Sequence, residues 1–266
     1  MDLLLRLPVF GILVILRTSI ADHFHDDGGW HTDRNGQIAE EGPCHIEVRG
    51  KDLTNQEFLN RYAFTKPVVL KDFSNNKNFL QLTRRKHLLE NYGHKKIKLS
   101  TANTHSYDKQ TVSLKTYVND YLKPQSLDAL GNETLYWFGD NDFEDWSGFF
   151  ERYNRPALYI PRLTGALSYG IAGPGTGVPF HWHGAGFAEV LYGRKRWFMY
   201  PPHKTPSFHP NQTTLHWLIY DYPTLSYTQK PLECTIGPGE IIFFPDQWWH
   251  ATLNIDTSVF ISTFLG

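Results

Sequence analysis

Short runs of aromatic and branched aliphatic residues, separated by Gly and Pro, follow one another along the second half of the chain. The runs cover residues 135–138, 166–172, 187–192, 196–200, 240–244 and 258–264. Short strands at this spacing are typical of an antiparallel barrel or sandwich. Aromatic residues are enriched in strands, and their share of 15% favours the same architecture. We therefore predict a mainly β domain over residues 134–266.

Residues 51–133 combine helical and strand patterns. Helices are predicted over 54–64, 83–92 and 113–122, and strands over 67–70 and 95–100. Thr54 or Asn55 can cap the first helix, and Gly93 stands where the end of a helix favours glycine. With 266 residues and no repeat, the simplest organisation is one module, in which an α/β prelude precedes the β domain.

The first 21 residues resemble a secretory signal peptide. Arg6 supplies a positive charge, residues 7–16 form an uninterrupted apolar run, and Ser19 and Ala21 place small side chains at positions −3 and −1 of a cleavage site. The apolar run is too short to span a bilayer, which takes about 20 residues. We predict a cleaved signal peptide; an uncleaved interfacial anchor is the alternative. Residues 22–50 are predicted to be a flexible N-terminal segment, with a His-rich metal-binding tract as the alternative.

Secretion would place the chain in an oxidising compartment, where Cys44 and Cys234 can pair. Two separate thiols are the alternative, and two cysteines are too few for a cysteine-based zinc site. Asn132 and Asn211 each begin an Asn-x-Thr sequon and are candidate glycosylation sites. The formal net charge is −1, so the chain lacks the excess of basic residues that is typical of nucleic-acid-binding proteins. We expect no nucleic-acid partner, and no membrane span after removal of the signal.

Two histidine motifs predict a metal site. His181 and His183 are two residues apart, so on a strand both side chains would lie on the same face. His250 ends an apolar run that follows Gly239, and its distance along the chain fits a barrel that brings remote strands together. Neutral imidazole suits iron, zinc or copper. Hydrogen-bonded histidines without a metal are the alternative.

Several motifs resemble the JmjC domain of the cupin superfamily. They are Glu-Phe-Leu-Asn-Arg-Tyr at 57–62 with Lys-Pro-Val-Val-Leu at 66–70, Leu-Tyr at 135–136, Gly-Arg-Lys-Arg-Trp at 193–197 and Phe-Pro-Asp-Gln-Trp-Trp-His at 244–250. Residues 239–254 also fit the cupin pattern Gly-x5-Pro-x-Gly-x2-His-x3-Asn, except that Gln247 replaces the second Gly. The resemblance covers most of residues 54–266 and implies a double-stranded β-helix, the jelly-roll fold of cupins.

For active JmjC oxygenases, the resemblance implies Fe(II) and 2-oxoglutarate as cofactors. Their iron ligands are His-x-Asp/Glu and a distal His, so His181 and His250 match, while His183 stands at the carboxylate position. Lys195 and Tyr136 match the residues that bind the distal carboxylate of 2-oxoglutarate. The resemblance therefore implies a metal site with His183 as its third ligand.

Two departures from the family pattern predict weakened oxygenase activity. The imidazole of His183 does not neutralise the charge of iron as a carboxylate does. Val178 replaces a threonine that in many family members contacts the co-substrate, and a valine side chain donates no hydrogen bond. Glu189 could supply the missing carboxylate, as in the His-x-His…Glu pattern of other cupins.

Together with the signal peptide, the resemblance implies a JmjC protein of the endoplasmic reticulum lumen. Our first hypothesis is a binding or regulatory module for protein partners, with degenerate oxygenase activity. The second is an Fe(II)- and 2-oxoglutarate-dependent protein hydroxylase of that compartment, and the third is a three-His cupin dioxygenase. Histone demethylation is not expected, because the sequence shows no chromatin-reading module. The chain ends on the predicted last barrel strand, so the C-terminal dimerisation helices of many hydroxylases are not expected either.

Overall fold

A computed structural model describes residues 26–30, 41–105 and 108–266 of the chain. Its first half contains both helices and strands. They are β1 (Val48–Arg49), α1 (Asn55–Arg61), β2 (Val68–Leu70), α2 (Lys77–Leu82), α3 (Arg85–Tyr92), β3 (Lys96–Thr101), β4 (Lys109–Ser113), α4 (Leu114–Thr116) and a π-helical turn (Tyr117–Tyr121). Thr54 caps α1 as predicted, because its hydroxyl accepts a hydrogen bond from Glu57 N at 3.2 Å.

The second half is predominantly β. Its strands and helices are β5 (Leu135–Phe138), α5 (Ser147–Phe150), β6 (Gly165–Ala172), β7 (Gly186–Tyr192), β8 (Lys195–Tyr200), α6 (Thr214–His216), β9 (Leu232–Ile236), β10 (Ile241–Phe244), β11 (Trp249–Asn254) and β12 (Ser258–Leu265). Short 3₁₀ or π turns occupy Gly131–Glu133, Trp217–Asp221, Tyr222–Thr224 and Tyr227–Gln229. Every apolar run predicted in this half is a strand.

The strands form two sheets. Nine strands follow the order β1-β2-β10-β7-β12-β6-β5-β3-β4, and three follow the order β11-β8-β9. Val190 and Ile242 of the large sheet pack with Trp197 and Met199 of the small sheet in one buried cluster. Neighbouring strands such as β10 and β7 are remote in sequence and antiparallel, as in a jelly roll. The expected fold, a mainly β double-stranded β-helix with an α/β prelude, is confirmed.

The prelude covers the outer face of the large sheet. Phe79 of α2 and Leu88 of α3 belong to the same buried cluster as Tyr169 of β6 and Ile261 of β12. The inner face of the large sheet packs on the small sheet, so β7 and β12 are buried on both sides. A side chain of these strands therefore faces either the space between the sheets or the prelude, according to its position in the strand alternation.

Parts of the predicted N-terminal segment, residues 22–50, contact the folded module. Trp30 is only 3% exposed, and its Nε1–H donates to Thr83 O at 2.9 Å. Cys44 is joined to Cys234 of β9 by a disulfide bond. The described parts of this segment are therefore held to the folded module by a buried indole and a covalent bond, although the composition predicts flexibility.

The predicted signal peptide, residues 1–21, lies outside the described residues. His23, His25 and His31 of the alternative metal-binding tract lie outside them as well. Across the ranges that the structure describes, we find no helix with the length and apolar character that a membrane crossing requires.

Candidate metal centre

The structure brings His181, His183 and His250 together. One ring nitrogen from each histidine lies within 4.8 Å of the other two. His181 N donates to His250 O at 3.1 Å, and His250 N donates to His181 O at 2.8 Å. Gln247 N also donates to His183 O at 3.0 Å. Backbone pairing thus sets the separation of the three residues, which pre-organises the cluster for one metal ion.

The Nδ1 contacts of the three imidazoles leave Nε2 as the atom that can bind a metal. The Nδ1 atoms lie 2.8 to 2.9 Å from backbone carbonyl oxygens, to which only a protonated Nδ1 can donate. This contact assigns the proton to Nδ1 and leaves the Nε2 lone pair available. Metal-binding histidines are commonly oriented in this way by a carbonyl or a carboxylate.

Burial keeps the three imidazoles neutral. It lowers the pKa of His181 to about 4, because the charged ring would be desolvated, and it lowers the pKa of His183 for the same reason. The pKa of His250 lies well below its usual value, from burial first and from the neighbouring rings second. Neutral imidazoles can bind a cation without releasing protons. The donor set fits zinc, iron or copper, whereas magnesium and calcium prefer oxygen ligands.

A small cavity lies between the histidines and Lys195. It has a volume of about 30 Å³, and its walls include Phe138, Phe260 and the metal-site histidines. About one water molecule fills such a volume. Thr252 and Ser262 also line the cavity, and neither is among the residues that the sequence motifs predict for the site. Ser262 shares one face of β12 with Phe260, so strand alternation could have indicated it once Phe260 was known to face the cavity.

Lys195 is a buried cation. It is 5% exposed, and among the described residues no carboxylate forms an ion pair with it. Its Nζ lies 3.4 Å from the ring centroid of Phe260 and 5.8 Å from that of Phe138. Burial lowers the pKa of Lys195 to about 7, because the ammonium is desolvated. The aromatic faces therefore supply the principal attraction that this ammonium finds in the fold.

Tyr136 and Val178 differ in their relation to the cavity. Val178 lines it, and Val178 N donates to Thr252 Oγ1 at 3.2 Å. Tyr136 is 4% exposed and packs with Phe260, but it is not among the residues that line the cavity. In this arrangement, the hydroxyl that the resemblance assigns to the co-substrate does not reach the space beside the histidines.

Glu189 does not join the histidines. In β7, Ala188 and Val190 face the space between the sheets, whereas Glu189 lies on the opposite face. Its Oε2 accepts hydrogen bonds from Tyr153 OH at 2.7 Å and from Asn76 Nδ2 at 3.1 Å. The hypothesis that Glu189 supplies a carboxylate ligand is therefore wrong, because strand alternation directs it toward the prelude.

Glu189 is expected to make the stability of the fold depend on pH. Glu189 is 1% exposed, and burial raises its pKa. Since the folded pKa exceeds the unfolded one, the protonated form stabilises the fold fully below about pH 4, and this contribution is lost as the pH rises through the folded pKa. We expect the free energy of unfolding of Glu189→Gln, relative to that of the wild type, to be higher at about pH 8 than at about pH 5. Urea unfolding at both pH values measures this change. The same stability difference between variant and wild type at both pH values would contradict the prediction.

Gln247 occupies a backbone conformation that favours glycine. Its φ is +60°, at the position where the cupin pattern has Gly. A non-glycine residue in this region costs about 1–2 kcal/mol, and glycine loses part of that gain to its greater freedom in the unfolded chain. We expect Gln247→Gly to raise the free energy of unfolding by up to about 1 kcal/mol, measured by urea unfolding. Gln247→Ala keeps the strained φ and serves as the control; equal stability of both variants would contradict the prediction.

Comparisons with known proteins identify relatives among cupin and JmjC proteins. Residues 173–263 match the family described as "Cupin-like domain". The JmjC domain-containing protein 8 of Homo sapiens is 54% identical over 240 residues, which are 90% of each chain. The 2-oxoglutarate and iron-dependent oxygenase JMJD4 of Mus musculus is 29% identical over 103 residues, which are 34% of this chain and 24% of that protein. The structure of the Escherichia coli ribosomal oxygenase YcfD superposes with a TM-score of 0.48 at 18% identity, covering 80% of this chain and 51% of that chain.

The sequence matches span the site as well as the fold. The cupin-like match includes all three histidines and Lys195. The human relative aligns with nearly the whole chain, prelude included, at an identity above one half. The chain therefore belongs to the family of JmjC domain-containing protein 8.

Proposed function

We propose that this chain is a secretory-pathway JmjC-domain protein that acts as a binding or regulatory module for protein partners, and that its 2-oxoglutarate oxygenase activity is degenerate. The observation that carries the proposal is the cavity beside the histidines, which measures about 30 Å³. Sites for small ligands usually measure about 300–1,000 Å³. A five-carbon dicarboxylate such as 2-oxoglutarate does not fit this space in the present arrangement of side chains.

Phe260 is the main obstacle to co-substrate binding. Its ring lies over the Nζ of Lys195, with the centroid 3.4 Å away. The family resemblance assigns this ammonium to the distal carboxylate of 2-oxoglutarate, so the ring takes the space in which that carboxylate would lie. A cation–π contact contributes about 2 kcal/mol when the cation is desolvated. Phe260 thus replaces part of the stabilisation that an anion would give to Lys195.

A metal ion, in contrast, fits the histidine cluster. His181, His183 and His250 would hold it through Nε2, and zinc, iron and copper match this donor set. When bound, such a metal supplies a Lewis acid or a redox centre. The chain itself contributes neutral rings, their orientation by backbone carbonyls, and a cavity of about one water molecule. In a regulatory module, the metal would link β11 to the segment before β7 and so stabilise the barrel.

An exposed aromatic side chain beside the site supports binding to a protein partner. Trp182 lies between the first two histidines in sequence and is 54% exposed. Its ring centroid lies 6.5 Å from that of Trp249. Tryptophan is enriched among the residues that contribute most to protein interfaces. A partner that covers Trp182 would also cover the metal site.

Two features support the lumen of the endoplasmic reticulum as the location. The first is the predicted signal peptide at residues 1–21. The second is the disulfide between Cys44 and Cys234, since such bonds persist in oxidising compartments and are rare in the cytosol. The two sequons are compatible with the same location.

The second candidate function is an Fe(II)- and 2-oxoglutarate-dependent protein hydroxylase of the same compartment. The observation that favours it is Lys195, a buried ammonium without a carboxylate partner among the described residues. Rotation of the Phe260 side chain would open this ammonium to an anion. A three-His cupin dioxygenase has the same ligands, but its substrate would also have to enter the cavity of about 30 Å³.

Anaerobic titration of the protein from a secretory host tests these functions. We expect one Fe(II) or Zn(II) ion to bind per chain, with loss of this binding in His250→Ala. We expect 2-oxoglutarate to produce no charge-transfer band with the Fe(II) protein and no heat of binding in calorimetry. A band in the wild type that disappears in His250→Ala would overturn the degenerate-oxygenase proposal in favour of the hydroxylase. Failure to bind any of these metals would refute the metal site.

A matched pair of variants tests the role of Phe260. Phe260→Ala removes the ring above Lys195 and is expected to create measurable 2-oxoglutarate binding in calorimetry. Adding Lys195→Met to this variant removes the cation and should abolish the acquired binding. If Phe260→Ala binds no more 2-oxoglutarate than the wild type, although it is folded and binds metal, Phe260 is not the obstacle.

A further inference from the structure

The two N-glycosylation sequons lie side by side on the surface. Asn132 and Asn211 are 79 residues apart in sequence, yet Asn211 Nδ2 donates to Asn132 Oδ1 at 3.2 Å. In return, Asn132 N donates to Asn211 Oδ1 at 3.2 Å, and Gly131 N donates to Asn211 O at 2.8 Å. The two candidate acceptors therefore share one small area, in which the 3₁₀ turn at 131–133 meets the segment before α6.

The two asparagines differ in their exposure and in the hydrogen bonds that their side chains form. Asn211 is half-buried and uses both ends of its amide, because Oδ1 also accepts from Asn103 Nδ2 at 3.4 Å. Asn132 is exposed, and within the described ranges its Nδ2 has no hydrogen-bond partner. A glycan is attached through Nδ2. A sugar on Asn132 could extend into solvent, whereas a sugar on Asn211 would have to leave from an atom that bonds Asn132.

The threonine of the second sequon is also more buried than that of the first. Thr213 is 2% exposed, and its hydroxyl caps α6 by accepting from His216 N at 3.1 Å. Thr134 is partly exposed, and its hydroxyl donates to Leu130 O at 3.3 Å. The hydroxyl at the third position is part of the acceptor motif. Formation of α6 therefore hides the second sequon, while the first stays accessible.

We propose that Asn132 carries an N-glycan in the folded protein, and that Asn211 stays unmodified and holds the two loops together. This inference rests on the proposed secretory placement, where N-glycans are added. The donor is an oligosaccharide linked to a lipid pyrophosphate. The bond from sugar C1 to Asn132 Nδ2 forms, the bond from C1 to the pyrophosphate oxygen breaks with its electron pair leaving on the pyrophosphate, and the amide loses one proton.

Intact-mass spectrometry before and after enzymatic removal of N-glycans tests the proposal, with protein from a secretory host. The wild type is expected to lose the mass of one glycan. Asn132→Gln and Thr134→Val each destroy the first sequon and are expected to lose none. Thr213→Asn destroys the second sequon but keeps a side chain that can cap α6, so it should lose one glycan, as should Asn211→Gln.

Two glycans on the wild type, or a glycan that persists in both Asn132→Gln and Thr134→Val, would overturn the assignment. A reporter sequon, Asn-Gly-Thr, added after Gly266 separates this failure from that of the proposed location. If only the reporter is glycosylated, the protein enters the lumen and the assignment to Asn132 is wrong. If neither is glycosylated, the secretory placement fails, and the assignment fails with it.

Discussion

Replacing Glu233 with glutamine is expected to lower the free energy of unfolding by about 3–5 kcal/mol. Glu233 of β9 is completely buried, and its partner Arg196 of β8 is 5% exposed. Arg196 Nε donates to Glu233 Oε2 at 3.0 Å, and the hydroxyl of Tyr222 donates to the other carboxylate oxygen. Glutamine removes the negative charge but leaves the guanidinium buried. The cost of desolvating Arg196 is then no longer offset by the charge of Glu233.

Urea unfolding followed by tryptophan fluorescence measures this effect. The control is the exposed pair Lys86 and Glu90 of α3, whose side chains are 81% and 57% exposed at a separation of 3.9 Å. Glu90→Gln should change stability by no more than about 0.5 kcal/mol. The double replacement of Arg196 and Glu233 by methionine should recover most of the loss, because both buried charges are removed together. If Glu233→Gln lowers the free energy of unfolding no more than Glu90→Gln does, the buried ion pair does not stabilise the fold as expected.

Replacing both Cys44 and Cys234 with serine is expected to lower the free energy of unfolding by about 2–5 kcal/mol. The bond joins residues 190 positions apart, and a cross-link that closes a long loop restricts the unfolded chain strongly. In the folded state, it also holds the segment before β1 against β9, where His45 N donates to Glu233 O at 2.7 Å. Loss of the link frees both the unfolded chain and this segment.

Reduction of the wild type supplies the internal control for the disulfide. Fully reduced wild type and the double serine variant should unfold at the same urea concentration, below that of the oxidised protein. Single replacements should match the double variant, because either one prevents the bond. Mass spectrometry under denaturing conditions should show a gain of two hydrogens upon reduction. Equal stability of oxidised and reduced wild type would refute the prediction.

Sequence periodicity predicts most of the apolar strands that are buried on both faces. β6, β7, β8, β10 and β12 are apolar runs, which a single sequence displays directly. β4 and β9 are not predicted. β4 is an edge strand with the polar sequence Lys-Gln-Thr-Val-Ser, and β9 contains Glu233, whose charge is compensated by Arg196 of the neighbouring strand. Neither an edge position nor a cross-strand partner is visible in local sequence.

Periodicity has a similar limit in the helical part. The predicted helix over 113–122 is the short helix α4 followed by a π turn, because local patterns indicate helical character but not the hydrogen-bond register. The strand β11, which positions His250, was also not predicted. Its polar residues Thr252 and Asn254 are buried and take their partners from the segment that precedes the histidine pair. The sequence indicates the histidine at the start of this strand, but not the strand itself.

Local sequence is sufficient to predict the apolar strands of the jelly roll and the candidate metal ligands. A strand repeats every two residues, so the spacing of His181 and His183 already places both rings on one side, and the family motifs add His250. Three arrangements are visible only in the folded chain: Glu189 faces away from the histidines, Phe260 lies over Lys195, and Asn132 pairs with Asn211. Periodicity reports contacts over a few residues. These three arrangements depend on how segments remote in sequence pack against one another, which a local pattern does not encode.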